Sequence, residues 1–515
     1  MKIDKGTIDI AKLLFFIFLF VGIFVRIWQF GNVPGDINQD EAYAGYEAYS
    51  ILNYGIDSSG YRFPVYFVSW GSGMNALSSY LMIPFIAFCG LHTWVIRLPQ
   101  FFIACLSLWV AYRLIQKMIN TKAALCVLFL MSISPWHIML SRWGLESNLA
   151  PGLLLFGLYF FVKGIENKKY FLVSALMYGM SLYSYATIWT IVPIILVFQC
   201  VYCILLKKIR MCKEIVLSGV IVFLLALPLV LFLFVNYGLI DEIRLPFISI
   251  PKLLYMRTGE ISFRNISSNL KNLWSIIVTQ SDGLIWNATE RYGLFYKWSL
   301  PFFFLGLFNL IDNTVKSIKK HEFDWRVLIL IQLMAGIILG SLITVNINRV
   351  NILFIPMIIV IAVGVLYLCE LIGYKYMLII PFIVYAICFS GFVKFYFGEY
   401  QQICSGYFTE GIEDAIKSVN KSDKTIYIAP EIHYPKVLFL AKEPTDIYRD
   451  TVKYKNYPSA FLQAASFDHY VFSDDYSQID EHCIYIFNAG IDKSPFNERG
   501  FTIMQYDGYI VAEKY

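Results

Sequence analysis

Twelve apolar runs, each close to the roughly 20 residues that a helix needs to cross a bilayer, constrain this chain more than any motif in it. They cover approximately residues 13–30, 75–91, 97–115, 122–140, 148–165, 170–186, 188–206, 214–236, 295–313, 327–344, 351–370 and 375–397. Charged residues are 15% of the 515 positions and hydrophobic ones 58%, where a soluble globular chain carries about 25% charged residues. The class that follows is a polytopic α-helical membrane protein. A net charge of +5 is small for this length and is explained by lysines in loops, so no nucleic-acid partner is expected. The N-terminal lysines lead into a long apolar run without a small-residue cleavage site, which reads as a retained first helix.

Counting all twelve runs as spans puts the loop 113–122, with Arg113 and Lys117, on the outer side, against the positive-inside rule. The run 75–91 contains Ser78, Ser79 and Pro84 and is the least convincing span. Laid along the surface as an interfacial helix, it brings four basic loops inside: Arg113/Lys117/Lys122, Lys163/Lys168/Lys169, Lys207/Lys208/Arg210/Lys213 and Lys316/Lys319/Lys320/Arg326. The expectation is about eleven transmembrane helices in the cell (plasma) membrane, with a cytoplasmic N-terminus and an extracytoplasmic C-terminus. Four features then share the outer face: the Asp40-Glu41 loop, the short loop 141–147, the long loop 237–294, and Asn346-Ile347-Asn348-Arg349.

Composition changes near residue 398, which divides a membrane domain (1–398) from an outer domain (399–515). The second part alternates short β-rich runs (425–428, 469–472, 483–487) with helical stretches (411–419, 435–441). It ends in a hairpin pattern, 501–505 and 509–512 around Asp507-Gly508. A small α/β domain is expected. Of the ten cysteines, seven lie in apolar runs as small hydrophobes, among them the Cys200-Val-Tyr-Cys203 pair. Cys404 and Cys483 are free to pair if their domain faces an oxidising compartment.

Three charged clusters sit at the lipid boundary, where acids and arginines are expensive to keep. The first is Asp40-Glu41, with Glu47 further along a helix expected over 41–52. As a bland alternative, its acids are solvated groups at a helix N-terminus. The second is Ser134-Pro-Trp-His137 followed by Ser141-Arg142 and Glu146. Arg142 and Glu146 are four apart and would bridge on one helix, and His137 reads as a satisfied interfacial residue. The third is Arg349 among Asn346, Asn348 and Asn351. It is either a snorkelling anchor or a planar fork for a phosphate. Acids for a base or a metal, and arginines for a phosphate leaving group, at one depth suit group transfer from a lipid phosphate.

Pro34-Gly35, Asp40-Glu41-Ala42, Gly45-Tyr46, Trp70-Gly71, Gly90, Arg97-Leu98-Pro99, Ser141-Arg142 with Glu146, and Arg349 with Pro356 occur in that order. This series resembles the GT-C superfamily of membrane glycosyltransferases, in particular its protein O-mannosyltransferase and aminoarabinose lipid A transferase branch. The resemblance implies a polyprenyl-phosphate-linked sugar as donor, inversion at the anomeric carbon, and a glycan, lipid or protein acceptor on the outer side. It implies Asp40 as the catalytic base with Glu41 as its partner, and Arg142 and Arg349 on the lipid phosphate. Glu146 stands where the family's second-loop acid is usually an aspartate one residue further from the arginine. A divalent cation, if used, would fall to Asp40 and Glu146; no other cofactor is implied. A transporter or flippase of a lipid-linked sugar, or a polysaccharide polymerase or ligase, are the rival functions. Transporters place ionisable groups at mid-membrane and often show repeats, and this chain shows neither. No nucleotide-sugar site is visible. Asp474-Asp475 reads as a solvated turn, and the sequons at Asn265 and Asn287 as idle. Among aromatics, Trp70, Tyr183 and Tyr185 are pocket candidates.

Overall fold

The computed structural model describes residues 5–256, 261–373 and 379–515. The apolar runs become helices whose ends are set by local chemistry. The first helix, α1 (Lys5–Ile27), leads through a turn to α2 (Gln39–Tyr54), and a short ladder of β1 (Tyr66–Phe67) with β2 (Met74–Asn75) precedes α3 (Leu77–Cys89). With 13 residues, α3 is about 20 Å long, short of a hydrocarbon core of about 30 Å. The later helices Thr121–Ile133 and Tyr170–Ser181, with 13 and 12 residues, are no longer, so length does not set the run 75–91 apart from those two. After α4 (Thr93–Ile96) come α5 (Leu98–Met118), α6 (Thr121–Ile133) and α7 (Pro135–Leu140). The run 122–140 is therefore broken: Ser134 is extended, and its hydroxyl accepts the His137 N–H across the break. Pro135 cannot continue a helical ladder but suits the first position of a new one.

Next in the bundle are α8 (Ala150–Gly164), α9 (Tyr170–Ser181), α10 (Ile188–Leu205) and α11 (Lys213–Asn236). The long loop holds a hairpin of β3 (Ile243–Leu245) and β4 (Ile248–Ile250), then α12 (Ile266–Thr279). The bundle ends with α13 (Leu300–Lys319), α14 (Arg326–Leu342), α15 (Phe354–Ile372) and α16 (Ile379–Tyr396). Among the described residues, six helices are long and apolar enough to cross a membrane: α1, α5, α10, α11, α15 with its preceding turn, and α16. Shorter apolar helices are α3, α6, α9 and α14.

The tightest helix crossing is α13 on α15. A side chain on Gly306 would strike the Val360 carbonyl, and one on Gly364 would strike the Phe302 carbonyl. Small residues let backbones meet where lipid offers no hydrophobic drive between helices. A buried polar knot also ties α1 to α6. Arg26 donates to the carbonyls of Gly22, Met131 and Ser132, and its Nη2 lies 2.6 Å from His137 Nδ1. His137 Nε2 lies 2.9 Å from Ser107 Oγ, so this histidine is a satisfied core residue.

The C-terminal part contains α17 (Glu399–Phe408), α18 (Ile412–Val419), β5 (Ile426–Ile428), α19 (Tyr434–Ala441) and α20 (Thr445–Thr451). It continues with β6 (Lys453–Tyr454), β7 (Ala464–Phe467), β8 (Tyr470–Phe472), β9 (Ile484–Asn488), α21 (Ser494–Glu498), β10 (Thr502–Tyr506) and β11 (Tyr509–Glu513). The seven strands β5 to β11 form one sheet in the order β10-β11-β9-β5-β8-β7-β6, with β5 parallel to both neighbours and β10-β11 the expected hairpin.

The core of this domain does not close on itself. Ala42, Tyr43, Tyr46, Ala48 and Ile51 of α2 pack in one cluster with Ile416, Ile428, Val437, Phe439 and Tyr448. Conversely, Tyr400, Cys404 and Phe408 of α17 belong to the cluster of the membrane bundle. Cys404 and Cys483 thus sit in different packed clusters, and both are free thiols; the pairing considered from sequence does not occur.

Gly364→Leu at the α13–α15 crossing is expected to destabilise the bundle by about 3 kcal/mol, the upper range for overpacking. Thermal unfolding in detergent micelles reads this directly.

Candidate active site

A cavity of about 810 Å³ lies between one end of the bundle and the C-terminal domain. Its chemistry begins at the first turn of α2. The Asn38 side chain accepts the Asp40 N–H at 3.0 Å, and the Asn38 N–H donates to Glu41 Oε1 at 3.0 Å. This is a capping box, which pins the first turn of a helix. Consecutive helical positions diverge by about 100°, so the neighbouring acids point to different places. Asp40 lines the cavity, half-buried.

Glu41 is fully buried and does not line the cavity. Arg97 Nη2 donates to its Oε1 at 2.6 Å, while Arg97 Nε and the Gly144 N–H donate to its Oε2 at 3.1 and 2.7 Å. The same guanidinium donates to the carbonyls of Gly31, Gly35 and Asp36 at 2.9, 3.1 and 2.7 Å. Glu41 therefore locks the approach to α2 onto the α4–α5 junction. The catalytic partnership expected for it is corrected to a structural one, because its oxygens are committed to these donors.

Arg142 also moves out of the expected site. Its guanidinium is buried against the C-terminal end of α1, donating to the carbonyls of Val25, Arg26, Gln29 and Val33 at 3.3, 2.9, 2.7 and 3.3 Å. The Phe397 ring lies 5.0 Å away. Orphan carbonyls at a helix end, together with its negative dipole, are what such a cation satisfies. Arg142 does not line the cavity, so its assignment to a lipid phosphate is withdrawn. The expected Arg142–Glu146 bridge is absent among the described ion pairs, because residues 141–145 form a turn and not a helix.

Glu146 opens a 3-10 turn (Glu146–Leu149), lines the cavity, and accepts the Asn75 N–H through Oε2. Arg349 lines it too, with Asn346 and Asn348. Asn346 Oδ1 accepts the Arg349 N–H at 2.8 Å, and Arg349 Nη1 donates to the Thr344 carbonyl at 3.3 Å. Of the five residues expected in the site, three (Asp40, Glu146 and Arg349) share the cavity.

Sequence reasoning missed a whole wall. Glu431, His433, Tyr434, Lys455 and Gln463 of the C-terminal domain line the cavity opposite the bundle's Tyr66, Trp189 and Phe232. Trp70 joins the two sides, its ring 5.5 Å from Tyr434 and 5.9 Å from Tyr43. Tyr185 lines the cavity as anticipated; Tyr183 instead donates to the Leu225 carbonyl at 2.6 Å. No sequence signal separates these C-terminal residues from ordinary loop polar groups. Beneath the same wall, Lys436 is 2% exposed, and burial pushes its ammonium down to about 7 against the pull of Glu41 and Asp40.

Further along α2, Glu47 and Asp57 form a second buried acid pair. Ser58 donates to Glu47 through both its N–H and its hydroxyl, and the N–H groups of Ser59 and Tyr61 donate to Asp57 Oδ1 at 3.0 and 2.7 Å. Desolvation, and for Glu47 also the nearby Asp57, raises both acids well above the ordinary carboxylate range.

A family model described as dolichyl-phosphate-mannose-protein mannosyltransferase matches residues 76–233. That stretch includes Glu146 but neither Asp40 nor Arg349. No curated protein sequence matches the chain. Among solved structures, ArnT from Cupriavidus metallidurans bound to undecaprenyl phosphate is 9% identical, with a TM-score of 0.53 over 99% of this chain and 98% of that one. The archaeal oligosaccharyltransferase AglB from Archaeoglobus fulgidus, in complex with an inhibitory peptide and a dolichol-phosphate, is 14% identical with a TM-score of 0.50. That match covers 85% of this chain and 64% of AglB. The oligosaccharyltransferase of the same archaeon in complex with Zn and sulfate is 13% identical with a TM-score of 0.50, over 83% of this chain and 61% of that one. The chain thus spans less than two thirds of the archaeal enzyme's length. These neighbours are GT-C glycosyltransferases, and the chain has their fold: a multi-pass helical membrane protein with a C-terminal, strand-rich domain.

Glu41→Gln and Arg97→Met each leave one buried partner uncompensated and are expected to cost about 3–5 kcal/mol, measured as loss of thermal stability. The Glu47–Asp57 pair retains protons that the unfolded chain releases near pH 4–4.5. Its stabilising contribution is therefore full below that range and is lost as pH rises through the raised folded values. Glu47→Gln is expected to unfold at a higher temperature than wild type at about pH 8.5, with the gap closing at about pH 4.5.

Proposed function

We propose that the chain is an integral-membrane glycosyltransferase that moves a sugar from a polyprenyl-phosphate donor to an acceptor on the extracytoplasmic face, inverting the anomeric carbon. One observation supports this above others: Asp40, Glu146 and Arg349, far apart in sequence, line one cavity at one end of the bundle. The structural neighbours that contain undecaprenyl phosphate or dolichol-phosphate suggest the same class of donor here.

In this mechanism Asp40, in the first turn of α2, accepts the proton of an acceptor hydroxyl or amine. The acceptor atom bonds to the anomeric carbon as the bond from that carbon to the phosphate oxygen breaks. A single displacement inverts the centre. Negative charge gathers on the departing phosphate, and Arg349 supplies a planar cation for it. Tyr66, Trp189 and Phe232 give the bundle side an apolar wall for the lipid, while Glu431, His433 and Gln463 offer hydrogen bonds to the acceptor from the opposite wall. Glu146, anchored on the Asn75 N–H, orients the reacting sugar.

A divalent cation would find Asp40 and Glu146 in the cavity, but among the described residues no group of three or more His, Cys, Asp or Glu is gathered to hold a metal ion. Such a donor set does not make a protein cage, and no step here is routed through a metal. The placement of the charged groups at one end of the bundle, and not along its middle, also favours transfer over transport.

The test compares lipid extracts from cells making wild-type protein, no protein, and Asp40→Asn at equal membrane levels. Sugar-linked polyprenyl phosphate is expected to accumulate in the last two, and Asp40→Asn to lower transfer by about 10²–10⁴-fold, the range of a lost general base. An Asp40→Asn enzyme with wild-type turnover removes Asp40 from the mechanism. Donor lipids unchanged by complete loss of the protein refute the transferase.

A further inference from the structure

At the opposite, basic end of the bundle lies a second cavity, which sugar transfer does not use. It has about 250 Å³ of space between α8, α9, α10 and α11, bounded by Phe161, Phe171, Leu196, Ile209, Gly219 and Val222. Its serines are turned away from any guest: Ser174 Oγ donates to the Gly157 carbonyl at 2.8 Å and Ser218 Oγ to the Glu214 carbonyl at 2.7 Å. The lining therefore welcomes hydrocarbon and offers a polar molecule little. At Gly219 a side chain would meet nothing within 4 Å, so the space is open there. The flanking surface is made for lipid, with Leu205, Val216 and Phe223 72%, 57% and 62% exposed.

The mouth of this cavity is cationic. The two connections that border it, 165–169 and 206–212, and the first residue of α11 carry exposed Lys168, Lys169, Lys207, Arg210 and Lys213. Lys208 is occupied over the rings of Phe323 and Trp325, at 5.1 and 5.4 Å. Of the acids nearby, Glu166 is paired with Lys117 at 2.5 Å. Lys168 stands three residues before the lining residue Phe171 and Lys213 two before Ile215, so each flanks the cavity, and Glu214 is within electrostatic reach of both. Positive charge in loops on this side is expected from topology alone. What topology does not require is an apolar cavity whose lining residues Phe171 and Ile215 adjoin these two lysines.

We propose that this cavity and its lysines bind one anionic phospholipid, with an acyl chain between α9, α10 and α11 and the phosphate against Lys168 and Lys213. Basic pockets between transmembrane helices recognise anionic head groups through this combination. The site is independent of the transfer reaction.

The test uses the full-length protein in nanodiscs of mixed phosphatidylglycerol and phosphatidylcholine, with bound lipid read by native mass spectrometry. One phosphatidylglycerol is expected to survive release, in preference to phosphatidylcholine. Lys168→Gln and Lys213→Gln are each expected to reduce its retention about fivefold, while Lys319→Gln/Lys320→Gln on another basic loop leaves it unchanged. Gly219→Leu, which fills the cavity without touching a charge, is expected to release the lipid as well. Equal retention of the two lipids overturns the proposal. So does undiminished retention in Gly219→Leu, or an equal loss in the Lys319/Lys320 variant, since the lysines would then act only as topological charge.

Discussion

The carboxylate of Glu41 takes hydrogen bonds from the Arg97 guanidinium, from Gly144 and from its own N-cap, with no access to solvent. A charge this deep is tolerated only when paired and fully hydrogen-bonded, and every one of these donors comes from a different local structure. The turn at 31–36 is held by the remaining arms of Arg97, the start of α2 by the capping box, and the loop after α7 by the Gly144 N–H. Removing either ion would leave the other stranded, so these segments have one arrangement. The orientation of Asp40, one residue away on the same helical turn, is a consequence of that arrangement.

A second consequence concerns the C-terminal domain. Because α2 contributes Ala42, Tyr46 and Ile51 to the core that also contains Val437 and Phe439, the domain is packed onto the element that carries Asp40. Backbone contacts reinforce this: the Ile37 N–H donates to the Phe408 carbonyl at 2.8 Å, the Gly411 N–H to Asp36 at 2.7 Å, and the Leu462 N–H to the Trp70 carbonyl at 2.7 Å. A side chain on Gly71 would collide with the Ser459 carbonyl. The cavity is therefore walled by two parts of the chain that share a core, not by two bodies meeting at a hinge. Its aromatic and polar lining is held as rigidly as the packing around it.

A shared fold at 9% identity to ArnT is compatible with a chain in which 58% of positions are hydrophobic, since one hydrophobe often replaces another at little cost. Substitution costs most where backbone meets backbone, as at Gly306 with Gly364, and where a buried ion has particular partners, as at Arg26, Arg97 and Arg142. A shared fold hosts different chemistries, so the function proposed here rests on the residues that line the cavity and not on the likeness alone.

Periodicity and composition were enough to find the helices, because a bilayer admits little else. The apolar runs from 97–115 to 375–397 each became a helix or, at Ser134-Pro135, a broken pair, and the hairpin 501–512 formed as its alternation and Asp-Gly turn require. Local signals also gave a helix over 41–52, which the structure extends at both ends to Gln39–Tyr54 and so takes Asp40 into its first turn. They failed where a side chain's role depends on what lies across the fold. Asp40 and Glu41 are chemically alike neighbours in the sequence; only the arrival of Arg97 on one side of the helix makes one of them structural. Arg142 looked like a phosphate ligand until the end of α1 presented its carbonyls to it. Glu431, His433 and Lys455 carry no motif, and nothing within their own segment announces that they face a cavity shared with residue 40. Hydrophobic pattern is a property of a segment and survives in the sequence, whereas the partner of a buried charge is a property of distant segments brought together, which tertiary packing alone decides.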